Sequence, residues 1–435
     1  MRRYALVGAG ARAGMFLRAL AVDHADRAVV VALADTNQTR MAAHNGWLAE
    51  LGAGPVPTYA AGDFTAMLAA ERVDEVLVTS VDRTHADYIV AALHAGCDVV
   101  TEKPMTVDVE GCRRILDAVS ATGRQVKVAF NYRYNPLHEA FRSLLASGEI
   151  GEIGSVHFEW LLDVRHGADY FRRWHRDAAN SGGLLVHKSG HHFDLVNWWL
   201  DATPVTVFAQ GRRFFYGPDG RRHGYARSYD RGHGAPEAKG DPFALQLADN
   251  LQLRALYLDA EGEDGYLRDQ NVFAPGVTID DDMAVLVRYS TGATMTYHLT
   301  AYAPWEGYRV MVNGSRGRLE LEVVESDHVS PAGASEVKGA AVHGEVAAAE
   351  RGNARLTVHP YWAPPREVPV PGYSRGGHGG ADRRMTDVLF GGTTDPMERS
   401  ATARDGALAL LTGLAANRSM ATGAQVTATD LLDPI

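Results

Sequence analysis

The feature that most constrains the fold lies at the start of the chain. An apolar run at residues 4 to 7 breaks into Gly8-Ala9-Gly10-Ala11-Arg12-Ala13-Gly14, and apolar residues then recur at helical spacing in MFLRALAV. This reads as strand, glycine turn, helix. Gly8 permits the tight turn, Gly10 lets the backbone approach a diphosphate, and Ala13 or Gly14 allows close packing of helix on strand. A second apolar run, RAVVVALADTN, ends at Asp35, about 20 residues further on, where a carboxylate can accept hydrogen bonds from adenosine ribose hydroxyls. That carboxylate would repel a 2′-phosphate, so the expected cofactor is NAD rather than NADP.

The alternation continues through DEVLVTS, a helix in THADYIVAALHAG, DVVTEKP, a helix in DVEGCRRILDAVSATG, and a sixth strand in QVKVAF. Repeated units of this kind predict a doubly wound parallel sheet of Rossmann type over residues 1–134. Ligands of such sheets lie beyond the carboxyl ends of the strands, where Asp35, Thr79, Ser80, Glu102, Lys103 and Asn131 fall. From residue 135 the alternation stops. Longer strand candidates appear at GSVHFEWLLDV, VTVFAQGRRFFY, MAVLVRYS, ATMTYHLTAY, YRVMVNGS and GRLELEV, several joined by hairpin turns such as STGA and NGSRG. Residues 135–435 therefore read as a second, α+β domain on an open antiparallel sheet with one face against helices. Residues 216–270 and 326–373 read as insertions, either loose loops or substrate lids, and residues 400–418 as a final amphipathic helix.

The formal charge of -10, with acids and bases interspersed, gives no broad basic surface, and nucleic acid is not an expected partner. No apolar run reaches the roughly 20 residues of a membrane-spanning helix. Met1 leads directly into a strand pattern, which leaves no signal peptide to be expected. Cys97 and Cys112 lack metal-type spacing and read as reduced core thiols of a cytoplasmic protein.

The densest chemistry is SGGLLVHKSGHHFD, residues 181 to 194. If the stretch is helical from about Lys188, then His187, His191 and Asp194 lie near one face, while His192, Phe193 and Trp199 turn elsewhere; Gly190 weakens the helix, and the alternative places His187 in the preceding loop or first turn. Together with VGAGARAG, Asp35 and Glu102-Lys103-Pro104, this stretch resembles the glucose-fructose oxidoreductase, inositol dehydrogenase and MocA (Gfo/Idh/MocA) family across essentially the whole chain. The resemblance implies a Rossmann domain followed by an α+β domain whose open, mostly antiparallel sheet carries the substrate site and often the oligomer contact. It implies that Lys103 sits beside nicotinamide and substrate. The family's histidine and final aspartate fall on His191 and Asp194, but His187 stands where the family has its first aspartate. That departure leaves the orientation of the His191 imidazole without its usual partner. GGHGGADRR, residues 376 to 384, carries over His378 as a substrate residue, and NYRYNP, residues 131 to 136, offers Arg133 for substrate oxygens.

Oxidising a secondary alcohol needs hydride departure to nicotinamide and removal of the hydroxyl proton. His191 is the expected general base, a role worth about 10²- to 10⁴-fold in rate. Lys103 would polarise the oxygen and keep His191 neutral, while His187 and Lys188 would bond further substrate hydroxyls. Histidines four apart can hold zinc, yet no third ligand stands nearby in sequence, and no metal is expected. His192 and His298 read as packed or surface histidines, and the Trp198-Trp199 pair as core. The leading expectation is an NAD-dependent dehydrogenase of a sugar, sugar derivative or polyol, with a homodimer or homotetramer implied by the resemblance alone. Two alternatives stand beside it: an NAD-retaining glycosidase or lyase working through a transient 3-keto sugar, and a non-catalytic sugar or dinucleotide sensor.

Overall fold

In the computed structural model, residues 1–329, 353–373 and 378–432 are described. The first sheet holds β1 (Arg2–Val7), β2 (Ala28–Asp35), β3 (Thr58–Ala60), β4 (Glu75–Val78), β5 (Asp98–Thr101) and β6 (Val126–Val128). They run parallel in the order β3-β2-β1-β4-β5-β6. The order reverses between β1 and β4, and the glycine turn lies at that reversal, where doubly wound sheets bind their ligands. Every residue of β4 is buried and so are Tyr4 to Val7 of β1. These strands therefore read as continuous apolar runs rather than as alternation.

The second sheet holds β7 (Ile153–Asp163), β8 (Pro204–Arg212), β9 (Asp282–Tyr289), β10 (Thr294–Ala303), β11 (Glu306–Gly314), β12 (Gly317–Ser326), β13 (Asn353–Pro360) and β14 (Arg366–Glu367). All pairings are antiparallel except β7 with β10. Burial alternates along β9 and β10, so one face is covered and the other is open. The six runs expected in this domain are all strands. Of the segment 326–373, residues 330–352 lie outside the described residues, while β13 and β14 extend the sheet.

The division at residue 134 separates the two sheets but not the two cores. After the second sheet the chain returns to the first domain. The helix Ala381–Leu389 packs Met385 and Leu389 among Leu6, Phe16 and Leu20, and β15 (Ala401–Thr402) pairs with β6. A two-residue edge strand and a helix with exposed charge carry too little pattern to announce such a return. The final helix, Ala403–Thr422, starts from a capping box of Thr402 and Asp405, and β16 (Val426–Thr427) then closes on β8. This helix is buried along most of its length rather than amphipathic, because it is wedged between the two sheets' layers.

Residues 216–270 are folded rather than a loose loop. Short helical turns fold into small apolar clusters, one built on Leu245, Leu247 and Leu253 beside Tyr257, and dock onto the first domain.

Candidate active site

The two domains enclose a cavity of about 460 Å³ that runs from the glycine turn to the helix Val164–Arg172. At one end Gly8 adopts φ +96, and an added Cβ would lie 2.3 Å from Ser80 N. No other residue fits there without moving β4 off β1. Thr79 bonds Gly8 O through Oγ1 at 2.6 Å, and Ser80 pairs with Thr84. Ala13 and Gly14 start the following helix and lie behind the cavity wall, with Ala13 fully buried. Asp35 accepts from Ala9 N at 2.5 Å and Asn37 N at 2.8 Å, which fixes its carboxylate at the end of β2. Burial raises its pKa, and the two amides and Arg40 draw it back down.

A segment from the second domain covers this end. Tyr257 Oη accepts from Ala11 N at 3.0 Å, so a phenol stands over the glycine turn with its own proton left to donate to a phosphate oxygen. Glu263 accepts from Gln38 N at 2.6 Å and Thr39 N at 3.0 Å, and Asp264 pairs with Arg40 at 2.6 Å. The glycine approach, the carboxylate at the ribose position and the amide-held phenol together fit a bound dinucleotide, while two carboxylates at the ribose corner oppose a 2′-phosphate.

At the other end stand Lys103, His187, Lys188 and His191, all of them cavity-lining. The helix expected from Lys188 is interrupted. A short helix, Leu184–His187, ends at Lys188, Ser189 bonds Tyr297 through Oγ at 2.9 Å, and a second helix runs Gly190–Leu200. The break sets His187 apart from the helix that carries His191 and Asp194, and the three side chains take different partners. His187 turns to Asp82, with Nδ1 2.5 Å from the carboxylate. His191 stacks on Tyr132 with ring centroids 4.4 Å apart and planes at 15°. Asp194 turns away and forms a two-pronged pair with Arg133, at 2.6 and 2.8 Å, both side chains being almost wholly buried.

Arg133 therefore belongs to the interior. Its guanidinium is spent on Asp194 and faces Asp405 rather than the cavity. The turn His378–Gly380 passes beside Asn135, but the His378 side chain lies outside the described residues. His192 is a packing residue, with Nδ1 2.7 Å from Tyr297 Oη and its ring stacked on Trp160.

Lys103 Nζ lies 3.1 Å from His187 O and 3.4 Å from His187 Nε2. A cationic amine has three donors, so with two committed to His187 one is left for a ligand oxygen. If Nε2 accepts from Lys103, the His187 proton sits on Nδ1 and is given to Asp82. Burial lowers the proton affinities of Lys103 and His187 and raises that of Asp82. In each case burial disfavours the charged form, and the attraction between Lys103 and Asp82 across the imidazole opposes it. Glu102 is held by Arg12, which also pairs with Asp382, and Asn131 Nδ2 bonds Asp382 at 2.8 Å. Lys188 Nζ donates to Tyr132 Oη at 3.2 Å and lies 4.8 Å over the Trp160 ring.

Sequence reasoning missed Asp82 and the wall formed by His166, Asp169, Tyr170, Arg173 and His175. Asp82 follows β4, at the strand end where ligand groups gather, and so carried a usable signal. The wall residues come from DVRHGADYFRRWH, a charged stretch that carries no motif to single it out. Gly167 lets that helix lie against β10, where an added Cβ would be 1.7 Å from Ala301 O, and the charges are buried as a result. Among the described residues, no group of three His, Cys, Asp or Glu side chains is arranged to hold a metal, and no helix is long and apolar enough to cross a membrane. Cys97 and Cys112 are buried and free.

The fold and this cavity define a two-domain, NAD-binding oxidoreductase. Family models agree along most of the chain: the oxidoreductase family's NAD-binding Rossmann fold matches residues 2–130 and its C-terminal alpha/beta domain residues 142–428. The chain belongs to the Gfo/Idh/MocA oxidoreductase family. YteT of Bacillus subtilis (strain 168) is 33% identical over 433 residues, covering 97% of this chain and 96% of that protein. Inositol 2-dehydrogenase of Pseudomonas fluorescens (strain SBW25) is 33% identical over 146 residues, covering 33% of this chain and 40% of that enzyme. Two solved structures share the fold over nearly the full length. The WlbA dehydrogenase from Bordetella pertussis with NADH and UDP-GlcNAcA has TM-score 0.63 at 18% identity, covering 98% of both chains. An oxidoreductase from Agrobacterium radiobacter with NAD+, L-tartaric acid and magnesium has TM-score 0.63 at 15% identity, covering 99% of both.

Proposed function

We propose that this oxidoreductase transfers a hydride between NAD and a secondary hydroxyl of a sugar, sugar derivative or polyol. The observation that carries the reading is one cavity whose wall includes both the glycine turn with Asp35 and the pair Lys103 and His191. The relation to inositol 2-dehydrogenases supports a polyhydroxylated substrate, as does the number of hydrogen-bonding side chains around the pair. The nicotinamide supplies the hydride acceptor when bound. Lys103 directs its remaining N–H at the reacting oxygen and stabilises developing alkoxide charge. His191, held flat against Tyr132, receives the hydroxyl proton. His187 and Asp82 hold the Lys103 ammonium in place from behind and buffer its charge, and Lys188 contacts a further hydroxyl.

The covering of the ribose corner by Tyr257, Glu263 and Asp264 favours a second reading, in which the cofactor stays bound and returns its hydride after a bond has been cleaved. The test is to incubate purified protein with NAD and a panel of sugars, polyols and glycosides, following both NADH absorbance and released products. Accumulating NADH supports the dehydrogenase. Product without NADH supports the cleavage reading, and binding without turnover would leave a sensor.

A further inference from the structure

We infer that Asp264, carried by the second domain's insertion, sets the preference for NAD over NADP by occupying Arg40, an arginine otherwise placed to receive a 2′-phosphate. Arg40 stands in the first turn of the helix Gln38–Glu50, just after the ribose carboxylate Asp35, and lines the cavity with it. In sheets of this type an arginine at that corner is the group that accommodates the 2′-phosphate of NADP. Here it is turned to other partners. Arg40 is 8% exposed, Nε donates to Leu256 O at 2.9 Å, and Nη1 lies 2.6 Å from Asp264 but 4.0 Å from Asp35. The rings of Tyr257 and Tyr266, both from the insertion, stand 5.6 and 5.7 Å from the guanidinium. Nη2 has no hydrogen-bond partner among the described residues, so its N–H groups are uncommitted.

Asp264 is placed by contacts other than its own ion pair. It closes the short helix Glu261–Asp264, Gly265 turns the chain at φ +68, and Asp264 Oδ1 accepts from Tyr266 N at 3.1 Å, which leaves Oδ2 for Arg40. The same turn is docked on the first domain by Ala260 O, which accepts from Asn37 Nδ2 at 2.9 Å, and by Glu263 at the amides of Gln38 and Thr39. Removing the Asp264 charge therefore leaves the docking contacts in place. Asp35 cannot substitute as the close partner, because its carboxylate is held by the amides of Ala9 and Asn37. Its attraction to Arg40, like that of Glu263, acts from further off. With Asp264 neutral, a guanidinium with open N–H groups faces the ribose corner, and its planar fork matches a phosphate.

The test is fluorescence titration of the full chain with NADH and with NADPH, read as the ratio of the two dissociation constants. D264N keeps the size of the side chain and removes its charge, and D264S also shortens it. Each should move the ratio at least tenfold toward NADPH, and the shift should shrink with added salt. Combining R40M with D264N should cancel it. A ratio that stays within twofold of wild type in both single variants overturns the inference. So does a double variant that keeps the shift, since the gain would then come from removing an acid rather than from uncovering Arg40. Variants that bind neither dinucleotide at an unchanged thermal midpoint overturn it too, because Asp264 would then hold the adenosine itself. No substrate enters the titration, so its outcome is separate from that of the hydride-transfer reading.

Discussion

Replacing Asp82 by asparagine separates charge from shape at the point where the two domains meet. The side chain keeps its size, but the negative charge facing Lys103 through the His187 ring is lost. Asp82 and Lys103 are joined by contacts of 2.5 and 3.4 Å on either side of that imidazole. Their charged atoms are consequently at most roughly 8 Å apart, and at an effective dielectric near 20 one unit charge contributes about 2 kcal/mol, or about 1.5 pK units. The sign follows from the direction of each effect. Asp82 raises the Lys103 pKa against the burial that lowers it, so removing the carboxylate lowers that pKa further. If the ammonium is the working form, activity is lost as pH rises through its pKa. D82N should therefore move the alkaline limb of the kcat profile down by about 1.5 units.

A second consequence concerns geometry. The asparagine amide can donate to His187 Nδ1, which places the ring proton on Nε2 against the Lys103 ammonium. Losing that charge-assisted contact is worth about 1.5–3 kcal/mol, or roughly 10- to 150-fold in rate at the optimum. The assay is kcat against pH over the alkaline range, with NADH affinity and thermal midpoint as controls. An alkaline limb that stays in place while the rate falls would show that the Lys103 ammonium does not set it, and the charge argument would be refuted.

H191Q should lower kcat by about 10²- to 10⁴-fold with little change in NADH affinity, as expected for loss of a general base; a kcat within a few-fold of wild type would return His191 to packing against Tyr132. NADPH should bind about a hundredfold or more weakly than NADH, because a phosphate some 5 Å from Asp35 or Glu263 meets roughly 3 kcal/mol of repulsion per charge pair. E263Q should narrow that gap in a fluorescence titration, and an unchanged ratio would remove Glu263 from cofactor choice. R133M should cost about 3–5 kcal/mol in urea unfolding, since it leaves Asp194 buried and uncompensated. A raised substrate KM without lost stability would instead put Arg133 back at the substrate.

The parts of the molecule that were legible from sequence are those whose determinants are local. A strand that feeds a glycine turn and a helix carries its whole pattern in some twenty residues, and the ligand end of such a strand is fixed by chain direction alone. This is why Asp35, Thr79, Ser80, Glu102, Lys103 and Asn131 could be gathered at one cavity before any tertiary contact was considered. The His187 cluster was only half legible. Its residues were found, but their directions depend on distant partners: Asp82 for His187, Tyr132 for His191 and Arg133 for Asp194, while Ser189, between the two helices, is bonded to Tyr297 on β10 more than a hundred positions away. Periodicity has no access to such contacts, which lie on other elements of the chain.

The same reason explains why the most informative departure could be seen but not resolved. A histidine in place of an acid, read along the chain, leaves open how substrate hydroxyls are held and what orients the His191 imidazole. In the folded protein that histidine joins Asp82, from the other domain, to Lys103. Because this link joins the loop after β4 to the helix Leu184–His187, it exists only while the domains are closed on each other. The charge that tunes Lys103 is therefore tied to the closure that forms the cavity, and a variant that loosens the interface should shift the alkaline limb in the same direction as D82N even with Asp82 intact.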